Sequence, residues 1–400
     1  MKNKIILFFS IVTAVLAVMS CNKDLESHNP VMDDPTVPAP VTNITVLNEN
    51  GKATITYNVP NDPHLLYVKA VYTLSSGQQG EAKASYFSNS LVVEGFADTL
   101  EHEVKLYSVN RSNVTSAAVI VKVKPLESPL WQVYRSIKIV NAFGGYNLSA
   151  LNLVKANITI EITKKNVFNE YERDNDKSIY TNIDTITSKV RGLDTIEYRF
   201  GFVVKDRWGN KTDTIYKIIK PFYEVQFPAA NFSTFTLPGD AKQVTNGAAL
   251  QYAWDGLLGW PYVSFTDQVP SGPGPHIITF NTGTTGKISR IWIRPFPEGT
   301  RFYYLTTMKR FEIYGANSPS LSGALDNSWI LLGSYTVTKP SGLPYGTDDA
   351  VDQATGAAGF NWEVDLSAPK VKYIRVRCLE NFAGGTAQSI NELKVYGDPR

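Results

Sequence analysis

The sequence predicts an all-β chain of sandwich domains in series, and three observations carry that prediction. At 400 residues the chain is longer than one ordinary core serves, so two to four domains are expected. Aromatic residues make up 12%, with 21 Tyr, and Thr and Val recur throughout, a composition that suits strands. Short apolar/polar alternations recur between Gly, Asn and Pro punctuation, the pattern of half-buried antiparallel strands.

Charge and cysteine content narrow the function classes. Lys and Arg (39) nearly balance Asp and Glu (37), giving a net charge of +2 with no basic run, so no electrostatic footprint for nucleic acid is present. The two cysteines, Cys21 and Cys378, supply no disulfide framework.

Residues 1–20 read as a targeting segment. Lys2 and Lys4 open it, and an apolar run from Ile5 to Met19 follows, short for a membrane span. It ends in Val18-Met19-Ser20-Cys21. Small residues before a cysteine resemble a bacterial lipobox, and that resemblance implies acylation of Cys21; the alternative is a secretory signal with an incidental cysteine. Several acyl chains on one residue make a durable anchor. Asn22-Lys23-Asp24-Leu25-Glu26 resembles the surface-export signal of Bacteroidetes lipoproteins, and residues 21–37 read as a tether.

The first module is expected over 38–124. Ala53–Tyr57, Tyr67–Tyr72, Glu103–Tyr107 and Val119–Val123 alternate, and some seven strands in this length suit a fibronectin-III-like or immunoglobulin-like sandwich. Pro125 to Pro129 punctuates the chain, and a second Ig-like module is expected over 125–223. Its strands are Ile137–Val140, Ala156–Ile162, Tyr198–Val204 and Thr214–Ile219, with a turn at Lys205–Lys211. Trp208 in that turn is expected to pack on the edge of its own sandwich.

The third segment, 224–400, carries the sharpest motifs. They are Trp254-Asp255-Gly256, Ile288–Arg294, Arg310-Phe311-Glu312-Ile313-Tyr314-Gly315, Lys372–Val376, and a closing Glu392-Leu393-Lys394-Val395-Tyr396-Gly397. Phe311, Ile313 and Tyr373 are expected to face inward, with Glu312 and Arg375 outward. In order and spacing these motifs resemble the coagulation factor 5/8 type C, or discoidin, family, a galactose-binding-like jelly-roll sandwich. The order of the three segments resembles Bacteroidetes surface lipoproteins in which two Ig-like domains precede a discoidin-like one.

No catalytic motif emerges, and the chain is expected not to be an enzyme. His28, His64, His102 and His276 are scattered. Gly283-Thr284-Thr285-Gly286-Lys287 lacks phosphate-loop spacing and reads as a hairpin turn. Asp348, Asp349 and Asp352 read as a solvated loop.

A sugar site needs an aromatic platform and a few fixed polar groups. Candidates near loops are Trp260, Phe296, Trp362 and Phe382 for stacking. Arg294 and Arg301 are candidate paired donors, with Asn361 and Asn381 as further polar contacts. Trp254, Trp292 and Trp329 are expected in the core or at its edge. The discoidin resemblance further implies a structural Ca²⁺ held by Asp255 and Glu392. Leu257-Leu258-Gly259, where related loops carry polar residues, departs from that pattern.

The expectation is thus a lipid-anchored outer-membrane protein, facing the exterior, that binds an oligo- or polysaccharide beside a glycan importer and does not bind nucleic acid. The first rival is a structural or adhesive protein whose head docks on a protein of an outer-membrane complex, and the second is a hydrolase, which would need a deep cleft with paired carboxylates that the sequence does not suggest. The first of these predicts a flat apolar patch on loops 257–270 and 295–305 and no sugar affinity.

Overall fold

The computed structural model describes residues 34–400. The leader, Cys21 and most of the tether lie outside the described residues. Among those described, no helix is long and apolar enough to cross a membrane. The chain divides into two compact units. One holds the described residues through Lys138 with Ser149–Ile186 and Gly201–Tyr216; the other holds Ile139–Leu148, Thr187–Phe200 and Lys217–Arg400.

The first module has the expected seven strands: β1 Thr42–Glu49, β2 Lys52–Asn58, β3 Leu65–Thr73, β4 Gln79–Ser85, β5 Ser90–Glu94, β6 His102–Asn110 and β7 Val119–Val123. One sheet runs β1-β2-β5 and the other β4-β3-β6-β7. Period-two alternation sends Ala53, Ile55 and Tyr57 from one sheet, and Val68, Ala70, Val104 and Leu106 from the other, into a single core.

A helix that the strand pattern does not announce follows: α1, Pro129–Ser136. Its start obeys local rules, since the Ser128 side chain accepts from Leu130 N and Pro129 sits where a missing N–H costs nothing. Trp131 Nε1 donates to Ala97 O at 2.9 Å and pins the helix to the first module.

The middle strands are β8 Lys138–Ala142, β9 Gly145–Leu151, β10 Ile158–Lys165, β11 Tyr171–Arg173, β12 Ile179–Thr181, β13 Thr185–Val190, β14 Tyr198–Asp206 and β15 Ile215–Ile219. They make two sheets, β13-β9-β8 and β11-β10-β14-β15 with β12 also on β10. Trp208 does not pack on its own sandwich edge. It packs on the core of the first module, where Gly95, with φ +95°, leaves room that a Cβ would take from the indole at 2.9 Å.

The C-terminal strands are β16 Val225–Gln226, β17 Ser233–Thr234, β18 Ser264–Phe265, β19 His276–Arg294, β20 Met308–Ala316, β21 Ile330–Thr336, β22 Phe360–Glu363, β23 Val371–Asn381, β24 Ser389–Ile390 and β25 Glu392–Asp398. Two helices, α2 Gln268–Ser271 and α3 Ala350–Ala358, lie among them. The order is β16-β25-β19-β23-β20-β21, with β17 and β22 also pairing with β19.

Residues 283–287 are not a hairpin turn. They lie inside the continuous strand β19, whose register shifts between Asn281 and Gly286. Up to Gly286 β19 pairs with β23, and from Lys287 to Arg294 it pairs with β25. Gly283 takes φ +67°, and a Cβ there would lie 2.2 Å from Asn231 O, so the kink requires glycine. One strand therefore serves both sheets and turns the corner of the sandwich.

Arg375 is not on a solvated face. It is fully buried (0% exposed), pairs with Asp240 at 3.3 Å, donates to Thr279 and Gly323, and lies 4.5 Å from the Trp329 ring. Ile374 and Val376 face the main core instead, and Tyr373, half-buried, packs against Phe235. The phase differs because the segment carrying Phe235 and Leu237, together with Trp329, covers the second face of β23 and builds a small core of its own.

Candidate functional site

Arg294 ends β19 and organises the loops beyond it. Its Nη1 donates to Asn391 Oδ1 at 2.7 Å and its Nε to Ala357 O at 3.0 Å. The guanidinium lies 5.5 Å from the Phe302 ring, and burial lowers its pKa. Asn391 in turn donates to Tyr262 O at 2.9 Å. Arg294 is therefore committed to holding the end of α3, and through Asn391 the 256–262 loop, with two donors spent internally.

Asp255 and Glu392 come together at this end. Glu392 Oε2 accepts from Gly256 N at 3.1 Å, and Asp255 Oδ1 accepts from Leu257 N at 2.8 Å. Burial, and then the Asp255 charge, push the Glu392 carboxyl up to about 7. Two acidic oxygen donors, one of them disfavoured as an anion, are what a hard cation such as Ca²⁺ would relieve, so the pair fits the implied ion. Among the described residues no group of three or more His, Cys, Asp or Glu side chains gathers. The rest of a coordination shell would have to come from main-chain oxygens and water.

The candidate aromatics divide. Trp260 is half-exposed and sits edge-on to Phe265 (6.5 Å), which sits edge-on to Phe296 (6.4 Å). Trp362, partly buried, packs against the core on Phe311 at 5.0 Å and Tyr335 at 5.2 Å, and Phe382, also partly buried, packs on Tyr303 at 5.5 Å. Asn381 is buried, its amide turned inward to Ala387 O, and Asn361 accepts from Arg290. Trp254 and Trp329 are buried, and Trp292 donates to Ala358 O.

Arg301 marks a second aromatic group that motif and spacing do not reveal. Its guanidinium lies 3.7 Å from the Tyr304 ring, and Tyr304 stacks on Tyr345 at 4.9 Å with planes 27° apart. Tyr345 is half-exposed. A local signal exists: Pro344-Tyr345-Gly346 puts an aromatic at a turn tip, and Gly346 takes φ +84°.

The acidic residues below this pair are not a solvated loop. Asp348 and Asp352 side chains are fully buried and pair with Lys339 at 3.0 and 3.8 Å. Asp348 Oδ2 accepts from Phe302 N (2.6 Å) and Tyr303 N (3.2 Å), while Asp349 caps α3 in a reciprocal box with Asp352. Burial alone would raise the Asp352 pKa, but hydrogen bonds from Ser341 and Asp349, with Lys339 nearby, lower it. That holds Asp352 as an anion, opposite to what a general acid needs. The cluster instead ties the strand-side loop of Tyr304 to the loop of Tyr345 and fixes their stacking.

Three family models match parts of the chain, each described as a domain of unknown function: DUF4959 over 38–125, DUF5126 over 126–230 and DUF5000 over 254–397. No curated protein matches. Among solved structures, a SusE-like protein is 25% identical, covering 67% of this chain and 98% of its own, with a TM-score of 0.44. The family 32 CBM from C. perfringens NanJ, in complex with galactose, is 18% identical over 43% of this chain and 98% of its own, with a TM-score of 0.30. A two-domain fibronectin type III segment from chicken tenascin is 11% identical over 46% of this chain and 99% of its own, with a TM-score of 0.21.

Proposed function

We propose that this chain is a lipid-anchored, cell-surface glycan-binding protein that captures an oligo- or polysaccharide for uptake and performs no covalent chemistry. The observation that carries the reading is the Arg301–Tyr304–Tyr345 ladder, a stacked aromatic pair whose outer ring, Tyr345, is half-exposed, with a guanidinium alongside and a buried ion-pair cluster holding it. Flat rings match the C–H faces of sugars, and a guanidinium offers donors to neighbouring hydroxyls. The Lys2 to Cys21 pattern supports the anchor and the outer-membrane location. Trp260 and Phe296 extend the same reading to the neighbouring loop, and Ca²⁺ at Asp255 and Glu392 would brace that loop.

The test is a glycan-array screen of the protein with and without Ca²⁺, repeated with Tyr345→Ala and Arg301→Ala. Binding that both substitutions abolish supports the reading, and a broad array with no binding overturns it.

A second reading has its own observation. Leu257 (47%), Leu258 (55%), Trp260 (49%) and Tyr262 (40%) are all exposed on one short loop. Such a patch suits a protein partner in an outer-membrane complex. Leu258→Glu would abolish co-purification with that partner while leaving glycan binding intact.

A further inference from the structure

A cleft of about 430 Å³ lies wholly within the first compact unit, and none of its lining residues belongs to the loops described above. Its volume falls within the roughly 300–1,000 Å³ of small-molecule sites. We propose that this cleft is a second carbohydrate site, taking a neutral mono- or disaccharide.

The walls are held in place. Gly51 N donates to Leu126 O, Gly95 N to Gly51 O, and Asn210 Nδ2 to Gly95 O. Gly51 takes φ +66°, and a Cβ there would press on Phe96 O and the Ser128 hydroxyl at 3.2–3.3 Å. The cleft is therefore preformed, which lowers the ordering cost of binding.

Charge selects the ligand class. The lining carries three acids (Glu49, Glu94, Asp206) and three bases (Lys52, Lys155, Arg207). Glu94 pairs with Arg207 at 2.7 Å and Glu49 with Lys52 at 3.4 Å, so the lining favours neither anion nor cation. Burial raises the Asp206 pKa, against the hydrogen bonds it accepts from Asn210 and Trp208.

Polarity then favours a sugar over a lipid or a purely apolar molecule. Leu126 and Val154, each about half-exposed, give an apolar wall, and Asn48 and Asn157 lie on the same lining. The Arg207 guanidinium lies 4.4 Å from the Trp208 ring and donates one arm to Glu94, which fixes its fork in the cleft. Apolar side chains with polar donors and acceptors on the same lining match a ring with one C–H face and a rim of hydroxyls.

The experiment uses the whole protein carrying Tyr304→Ala and Tyr345→Ala, so that the proposed head platform is absent and failure of one reading is distinguishable from failure of the other. Glucose, galactose, xylose and their disaccharides are titrated by calorimetry and saturation-transfer NMR, with glucuronic acid and glucosamine as charged probes. The expected result is binding of at least one neutral sugar. Val154→Trp, which fills the cleft from a half-exposed position, and Arg207→Ala each weaken it by about tenfold or more. The proposal is overturned if no neutral sugar binds, if Val154→Trp leaves the affinity unchanged, or if only a charged probe binds.

Discussion

Glu392→Gln isolates the cost of one buried carboxylate. In the folded chain this group rises from 4.5 to about 7 through burial and the Asp255 charge. At about 1.4 kcal/mol per tenfold change in proton affinity, holding it ionised costs up to about 3 kcal/mol. The sign follows from the raised value. Between pH 4.5 and 7 the folded chain keeps a proton that the unfolded chain releases, so stability falls with rising pH across that window and levels off above it. Gln stays neutral and still offers an oxygen to Gly256 N–H. In chelator at about pH 8 the variant should therefore be the more stable by up to about 3 kcal/mol, and near pH 4.5 the gap should close. Scanning calorimetry across pH measures both. Millimolar Ca²⁺ should raise the wild-type transition and leave the variant unmoved. A variant no more stable than wild type at the alkaline end, or a gap that persists at the acid end, would refute the argument.

Three further outcomes follow from the packing. Lys339→Met leaves Asp348 and Asp352 buried without their cation, and should cost about 3–5 kcal/mol by denaturant melts. Gly356→Ala puts a Cβ 2.3 Å from Phe302, deep in α3's contact, and should cost about 1–3 kcal/mol in the same melts. Trp131→Phe removes the hydrogen bond to Ala97 O while keeping an aromatic ring, and should lower stability by about 1 kcal/mol, read from the shift in the thermal transition.

Strands were legible wherever one face is buried and the other wet. Ala53, Ile55 and Tyr57 announce β2 because period two is a local property. The same rule misplaced Arg375, since β23 is covered on both faces and its second cover comes from distant segments. Helix α1 was missed although Ser128-Pro129 is a start signal, because eight residues give little periodicity. Asp348 and Asp352 read as solvated because nothing in the local pattern shows that Lys339, nine or more residues away, pairs with both. The candidate site was legible in part: Arg301 was singled out, but its ring partners Tyr304 and Tyr345 lie on loops that the fold alone brings together.

The corner turned by β19 also bears on how the C-terminal fold is reached. Its second half is flanked by β25 and β22, both far downstream in sequence. Until β25 has joined, the Ile288, Ile291 and Ile293 side chains lack the strand that covers their edge, and an uncovered apolar edge invites pairing with other chains. The first module closes with strands much nearer in sequence, β3 to β4 and β6 to β7. Loop-closure entropy therefore favours early assembly of the first module and late assembly of the jelly roll. Deleting Glu392–Asp398 should leave the first module folded and turn the remainder into an aggregation-prone open sheet.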